Sequence, residues 1–220
     1  MTDATLPEGI VSPIADRTIG AYVAAVASGA PTPGGGSVVA VVGALAAALG
    51  EMVCRLTLAR AVEASAQERL RDAGEQAADP RARLLDLAMR DEAAYQAYRT
   101  AAALPRSTID DRERRTAALE DALHVAAEVP LMTATSCHDV LVVLQTVARH
   151  GSRHALTDVT TATFLAEAGL RGAIANVRTN TALMRDREYA TDVERRVAAV
   201  AEGGPRAAAA ALEIVRGRGS

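Results

Sequence analysis

The sequence contains no lysine and no tryptophan, a single phenylalanine and only two cysteines. All 24 basic residues are arginine, which removes Schiff-base chemistry and any mechanism that needs a lysine nucleophile or base. Arginine's planar fork still permits a bidentate grip on a small anionic molecule. Aromatics make up 2% of the chain against 50% hydrophobic residues, so the core has to be assembled from Ala, Leu and Val in close packing, a composition that suits helices. Cys54 and Cys137 lie in apolar stretches without metal-ligand spacing and read as buried reduced thiols. A net charge of −3 gives no reason to expect a nucleic-acid partner. The N-terminus lacks a basic region followed by an apolar one, so no secretory signal is expected and a cytoplasmic protein is. The uncharged run from Val38 to Gly50 is about thirteen residues, short of the roughly twenty of a membrane span, so no membrane association is expected.

What the chain does have is the stretch PTPGGGSVVAVVGALAAALGEMVCRLT, Pro31 to Thr57. Three consecutive glycines, Gly34, Gly35 and Gly36, precede Ser37 and an apolar run. Such a turn feeding a helix leaves backbone N–H groups unpaired and admits close approach by a carboxylate, phosphate or oxyanion. Ser37 is the expected N-cap. Behind it Gly36, Ala40, Ala44 and Ala48, with Gly43 and Ala47, recur at four-residue spacing, which lets neighbouring helices come close. No Lys follows the glycines as a phosphate loop requires, and Val39 stands where a dinucleotide fingerprint or a nucleophile elbow needs Gly. A ligand-binding loop and a structural helix-packing turn both remain open.

In chain order, the residues before Asp16 form an irregular arm broken by Pro7 and Pro13. A short helix runs from a cap at Asp16 to Ala27. The helix after the glycines continues as a more polar extension to about Gln76, and Asp79 with Pro80 caps and starts the next, which ends near Leu104 and Pro105. Another begins at Asp110 or Asp111, is kinked or broken at Pro130 and closes at Gly151. A further helix opens at Thr157 or Asp158 and runs to about Met184, and the tail holds one or two more, interrupted by Gly203, Gly204 and Pro205. The only candidate strand, VVAVV from Val38, continues at helical spacing, which argues against it. The expectation is an all-α helical bundle with a buried central helix, in a single domain over residues 1–220.

At about 100° per residue, Leu84, Leu87, Ala88, Ala94, Tyr95, Tyr98 and Ala102 fall within roughly 60° of Asp91. Asp91 is thus a carboxylate on an apolar stripe, while Arg90 and Glu92 fall to a solvated flank. It reads either as an acid/base group or as a structural Asp paired with Arg. On the helix after Thr157, Asp158, Asn176 and Asn180 share one line with Leu165, Gly169, Gly172 and Leu183, which suits the lining of a polar pocket. His150 and His154 have metal-ligand spacing, but Gly151 ends the helix between them, so no metal is expected. His124 and His138 read as partly buried helix residues. No Ser has a triad motif around it.

Taken together, these segments resemble the cyclodeaminase/cyclohydrolase family: the cyclodeaminase domain of formiminotransferase-cyclodeaminase and stand-alone methenyltetrahydrofolate cyclohydrolase. The matching pieces are Pro31–Thr57, RDEAAY from Arg90, LPR from Leu104, VPL from Val129, ALTDV from Ala155 and FLAEAGLRGAIANVRTN from Phe164. The resemblance implies a formiminotransferase-cyclodeaminase C-terminal-domain-like helical fold, a homodimer, a tetrahydrofolate derivative as substrate and no metal or other cofactor. It also implies Asp91 as the proton donor and acceptor, and Gly34, Gly35, Gly36, Ser37, Arg106, Asp158, Asn176 and Asn180 as substrate-binding residues. MVCRLT and FLAEAGLRGA are closer to the cyclohydrolase branch, which favours hydrolysis of 5,10-methenyltetrahydrofolate. Formiminotetrahydrofolate cyclodeamination and a non-catalytic folate-binding helical dimer are the alternatives. Met89 stands where many members carry a second Asp, Arg55 replaces an Asn, and His154 and Thr157 replace Asn and Ser.

Overall fold

Six helices carry the chain in a computed structural model that describes residues 14–60 and 63–219. They are α1 (Ile19–Ala27), α2 (Gly35–Leu58), α3 (Ala64–Ala102), α4 (Ile109–His150), α5 (Leu156–Leu183) and α6 (Arg187–Gly219). Short 3-10 turns lie at Ile14–Asp16 and Arg153–Ala155, and no strand occurs among the described residues. The all-α expectation holds. Most of the expected N-terminal arm lies outside the described residues.

Small side chains set the packing. α4 packs against α2, α3, α5 and α6, and α2 against α3, α4 and α5. Leu70, Leu84, Leu87, Leu141, Leu144 and Leu170 are the largest enclosed side chains among the described residues, with alanines such as Ala40, Ala47, Ala134 and Ala166 among them. A Cβ on Gly43 would come within 2.7 Å of the Cys137 sulfur, and one on Gly169 within 2.9 Å of the same sulfur and 3.1 Å of the Val39 carbonyl oxygen. α2, α4 and α5 therefore meet around one thiol, closer than Leu-lined helices could. Both cysteines are free and buried, as expected. Burial pushes their thiols up, to about 11 for Cys54 and about 12 for Cys137.

Several expected boundaries move. α1 is capped by Thr18, whose hydroxyl accepts from the Ala21 N–H at 3.1 Å, while Asp16 ends the preceding 3-10 turn. α2 ends at Leu58, so the polar segment before Gln76 opens α3 and does not extend α2. Pro80, expected to start a helix, lies inside the 39 residues of α3. An interior proline lacks an N–H and costs about 3 kcal/mol, but Leu70, Ala73 and Ala77 before it and Leu84 and Leu87 after it are all buried, and this shared face holds one helix together. α4 passes Pro130 in the same way and ends at a Gly151 cap, as expected. Its start is a capping box between Thr108 and Asp111, with backbone-to-side-chain bonds of 3.0 Å in both directions. α6 runs unbroken through Gly203, Gly204 and Pro205. Those glycines are contact points: a Cβ on Gly203 would lie 2.8 Å from His138 Nε2, and one on Gly204 would overlap the Leu170 side chain.

By length and composition α2 and α4 are apolar enough to cross a membrane, which the count of uncharged residues alone did not suggest. Over half of each apolar window, 56% and 61%, is buried inside the bundle.

Candidate active site

A helix of L-residues leaves its first N–H groups without intrahelical partners. In α2 the N-cap is Gly34, not the expected Ser37, because the helix already begins at Gly35. Ser37 thus lies within the first turn, and its N–H donates to the carboxylate of Asp91 on α3. A residue distant in sequence does what a cap side chain would do locally. The contact requires glycine at one of the three positions: a Cβ on Gly36 would overlap the Asp91 carboxylate, whereas Gly34 has an ordinary contact and Gly35 open space.

Burial pushes the Asp91 carboxyl above the ordinary carboxylate range, the Ser37 N–H pulls it back, and the charge of Glu92 pushes it up again. Glu92 is not on a solvated flank. Its side chain is 15% exposed, 3.4 Å from Arg17, which is equally enclosed. The Ser37 hydroxyl donates to Glu92 at 3.4 Å and lies 3.0 Å from the Tyr22 hydroxyl. α1, α2 and α3 are joined through this network behind Asp91. Helical projection missed it because it resolves only one helix at a time. The presence of Tyr22, one of four tyrosines, was the only local sign.

In front of Asp91 is a cavity of about 340 Å³. Gly34, Gly35 and Gly36 form its mouth, Tyr95 and Tyr98 of α3 one wall, Leu123 and Ala126 of α4 its floor. Asn176, Thr179 and Asn180 of α5 face them. Pro130 explains how one of these is held. Without an N–H it leaves the Ala126 carbonyl without its helical partner, and Asn180 Nδ2 donates to that oxygen at 2.5 Å. Asn176 Nδ2 donates to the Gly172 carbonyl at 2.9 Å. Since a carbonyl can only accept, both amides are oriented, and each keeps its Oδ1 free to accept from a ligand donor.

A model of the formiminotransferase-cyclodeaminase family matches residues 18–199. The methenyltetrahydrofolate cyclohydrolase of Methylorubrum extorquens is 34% identical over 177 residues, covering 80% of this chain and 85% of that protein. The chain belongs to the formiminotransferase-cyclodeaminase family. The formimidoyltransferase-cyclodeaminase of Gallus gallus is 30% identical over 205 residues, 92% of this chain but 37% of the longer relative. A crystal structure of formiminotetrahydrofolate cyclodeaminase from Thermotoga maritima superposes with a TM-score of 0.84 at 24% identity, covering 93% of this chain and 98% of that one. It shows the shared fold.

In this member of the formiminotransferase-cyclodeaminase family, six residues expected at the site line one cavity: Gly34, Gly35, Gly36, Asp91, Asn176 and Asn180. Ser37 sits directly behind it, fully buried. Arg106 and Asp158 do not line it. Arg106 is exposed in the α3–α4 connection, where its carbonyl accepts from Arg112 at 3.3 Å. Asp158 shares a rotational line with Asn176, but eighteen residues of helix, about 27 Å, separate them along the axis. A wheel projection discards that coordinate.

Proposed function

We propose that this chain is an enzyme of folate one-carbon metabolism that hydrolyses 5,10-methenyltetrahydrofolate to 10-formyltetrahydrofolate, with Asp91 as its proton carrier. The observation that carries this reading is a half-buried carboxylate lining a cavity, bonded to a helix N–H and ion-paired to no cation among the described residues. Water adds to the cationic methenyl carbon and Asp91 takes one of its protons, giving a neutral hydroxyl adduct; that proton returns to N5 as the C–N5 bond breaks, and the remaining hydroxyl proton leaves to solvent as the formyl carbonyl forms. The carboxylate also favours the cationic ring, and the Asn176 and Asn180 oxygens accept from its N–H donors. The Gly35 and Gly36 N–H groups supply the opposite polarity at the mouth. No metal and no other cofactor enters this scheme. A homodimer and a cytoplasmic location go with it, and a purified chain that sediments as a monomer would remove the dimer.

Cyclodeamination is the second reading, favoured by the chicken relative: N10 attacks the formimino carbon and ammonia leaves, with the same carboxylate shuttling the proton. Purified protein is expected to bleach methenyltetrahydrofolate absorbance faster than buffer at neutral pH. A side-by-side assay on formiminotetrahydrofolate separates the two reactions. Tetrahydrofolate binding by calorimetry with no turnover of either would leave a non-catalytic folate-binding dimer.

A further inference from the structure

The cavity in front of Asp91 does not end at its apolar floor. Tyr98, Leu123 and Leu183 are also walls of a second cavity, of about 210 Å³, whose far side carries Arg115 and Arg185. Arg115, Leu119, Leu123 and Ala126 recur at four- and three-residue spacing, so they lie on one face of α4 and the two cavities form a single trough along it. From Ala126 to Arg115 the trough follows about 16 Å of helix.

Along that length its chemistry changes in a fixed order. A carboxylate and two amides stand at the Asp91 end, Tyr98, Leu119, Leu123 and Leu183 make an apolar middle, and two guanidiniums close the other end. Neither guanidinium is ion-paired among the described residues. Arg115 donates through Nε to the Ala102 carbonyl at 3.2 Å. Arg185 is bonded only through its backbone N–H, which leaves its side chain without a partner among the described residues. Glu120, the one carboxylate in this second cavity, is occupied by the α5–α6 turn: it accepts the Arg185 N–H at 2.9 and 3.1 Å and the Asp186 N–H at 2.8 Å.

We propose that the second cavity seats the glutamyl tail of the substrate, with Arg115 and Arg185 holding its carboxylates and the aminobenzoyl ring packed between Tyr98 and the leucines. The proposal rests on the folate reading above. A tetrahydrofolate presents a polar heterocycle, an aromatic arm and an anionic end in that order, and the trough presents their complements in the same order. Arginine is suited to the last of these because its fork meets a carboxylate bidentately.

The test compares kcat and KM on methenyltetrahydrofolate and on methenyltetrahydropteroate, which keeps the ring and arm but lacks the glutamate. Arg185→Ala is expected to raise KM for the first about tenfold, the worth of one charge-assisted contact, with kcat unchanged and with KM for the second unchanged. Arg185→Lys should recover part of the loss. Arg115→Ala should behave alike, but it also releases the Ala102 carbonyl, so Arg185, whose side chain holds nothing else among the described residues, carries the decision. An unchanged melting temperature shows that the fold is intact. Equal KM increases on both substrates, or none on the glutamate-bearing one, would overturn the tail site while leaving the folate reading in place. Wild-type protein that turns over neither substrate and binds no tetrahydrofolate in calorimetry would overturn both.

Discussion

Two carboxylates are withdrawn from solvent against α2, Glu51 buried and Asp91 half-buried, and the protein treats them in opposite ways. Glu51, on α2 itself, is 5% exposed and clasped by two guanidiniums, Arg81 at 2.5 Å and Arg55 at 3.0 Å. Asp91 lies on α3, ten residues beyond Arg81, and is held by a backbone N–H, with no arginine ion-paired to it among the described residues. Glu51 is engaged in joining α2 to α3, each of its oxygens taken by a guanidinium. Asp91 keeps lone pairs directed into a cavity and has its proton affinity raised by burial. Burial of a charge therefore does not distinguish a working carboxylate from a structural one; the nature of its partner does.

The largest effect expected from this contrast is in Asp91→Asn, which keeps shape but cannot carry a proton: turnover should fall about a hundredfold or more. Its stability should move the other way. A carboxyl raised above its unfolded value stabilises the fold only below the ordinary carboxylate range, and that contribution is lost as pH rises through the raised value. Ionised Asp91 is thus a cost at neutral pH, and the Asn variant should melt at the same or a higher temperature at pH 7, an advantage that disappears in acid. A strong loss of melting temperature would place Asp91 with Glu51. Next comes Gly36→Ala, whose methyl group overlaps the carboxylate and must displace it. A loss of about tenfold in kcat with little change in KM is expected, and full activity would show that Asp91 need not sit on the helix end.

Glu92→Gln tests the network behind the site. Removing its charge takes away an upward push on Asp91, so the acid limb of the pH–turnover profile should move to lower pH. A limb that stays in place would separate Glu92 from Asp91. Glu51→Gln is expected to have the least effect on catalysis and a clear one on the fold. Its side-chain partners are 79% and 39% exposed, so they regain water, and the loss should be about 1 to 2 kcal/mol in a denaturant melt, below that of a sealed pair. Turnover per folded molecule should be unchanged.

The inward direction of Asp91, the glycine mouth and the Asn176–Asn180 pair were legible because each follows from local periodicity: residues a few positions apart reveal which way a side chain points. The Glu51–Arg81 pair and the Glu92, Tyr22 and Arg17 network were not, since these partners are distant in the chain, as far as 75 residues for Arg17 and Glu92. Pro80 reads as a helix start, Pro130 as a kink or break and Gly203–Gly204 as an interruption because the local cost of each is real. They are carried within helices because the buried face on either side outweighs it. Pro130 adds something no propensity contains, a carbonyl released in one helix and taken up by Asn180 of another.

The crowding of Gly43 and Gly169 around Cys137 gives the protein a built-in clock. That thiol is fully enclosed, and its proton is held until about pH 12, so a disulfide reagent can reach it only when α2, α4 and α5 come apart. Its labelling rate in native buffer therefore counts large-scale openings of the bundle. Ligand in the trough should slow that rate in proportion to its occupancy, and binding can be followed by this means without any turnover at all.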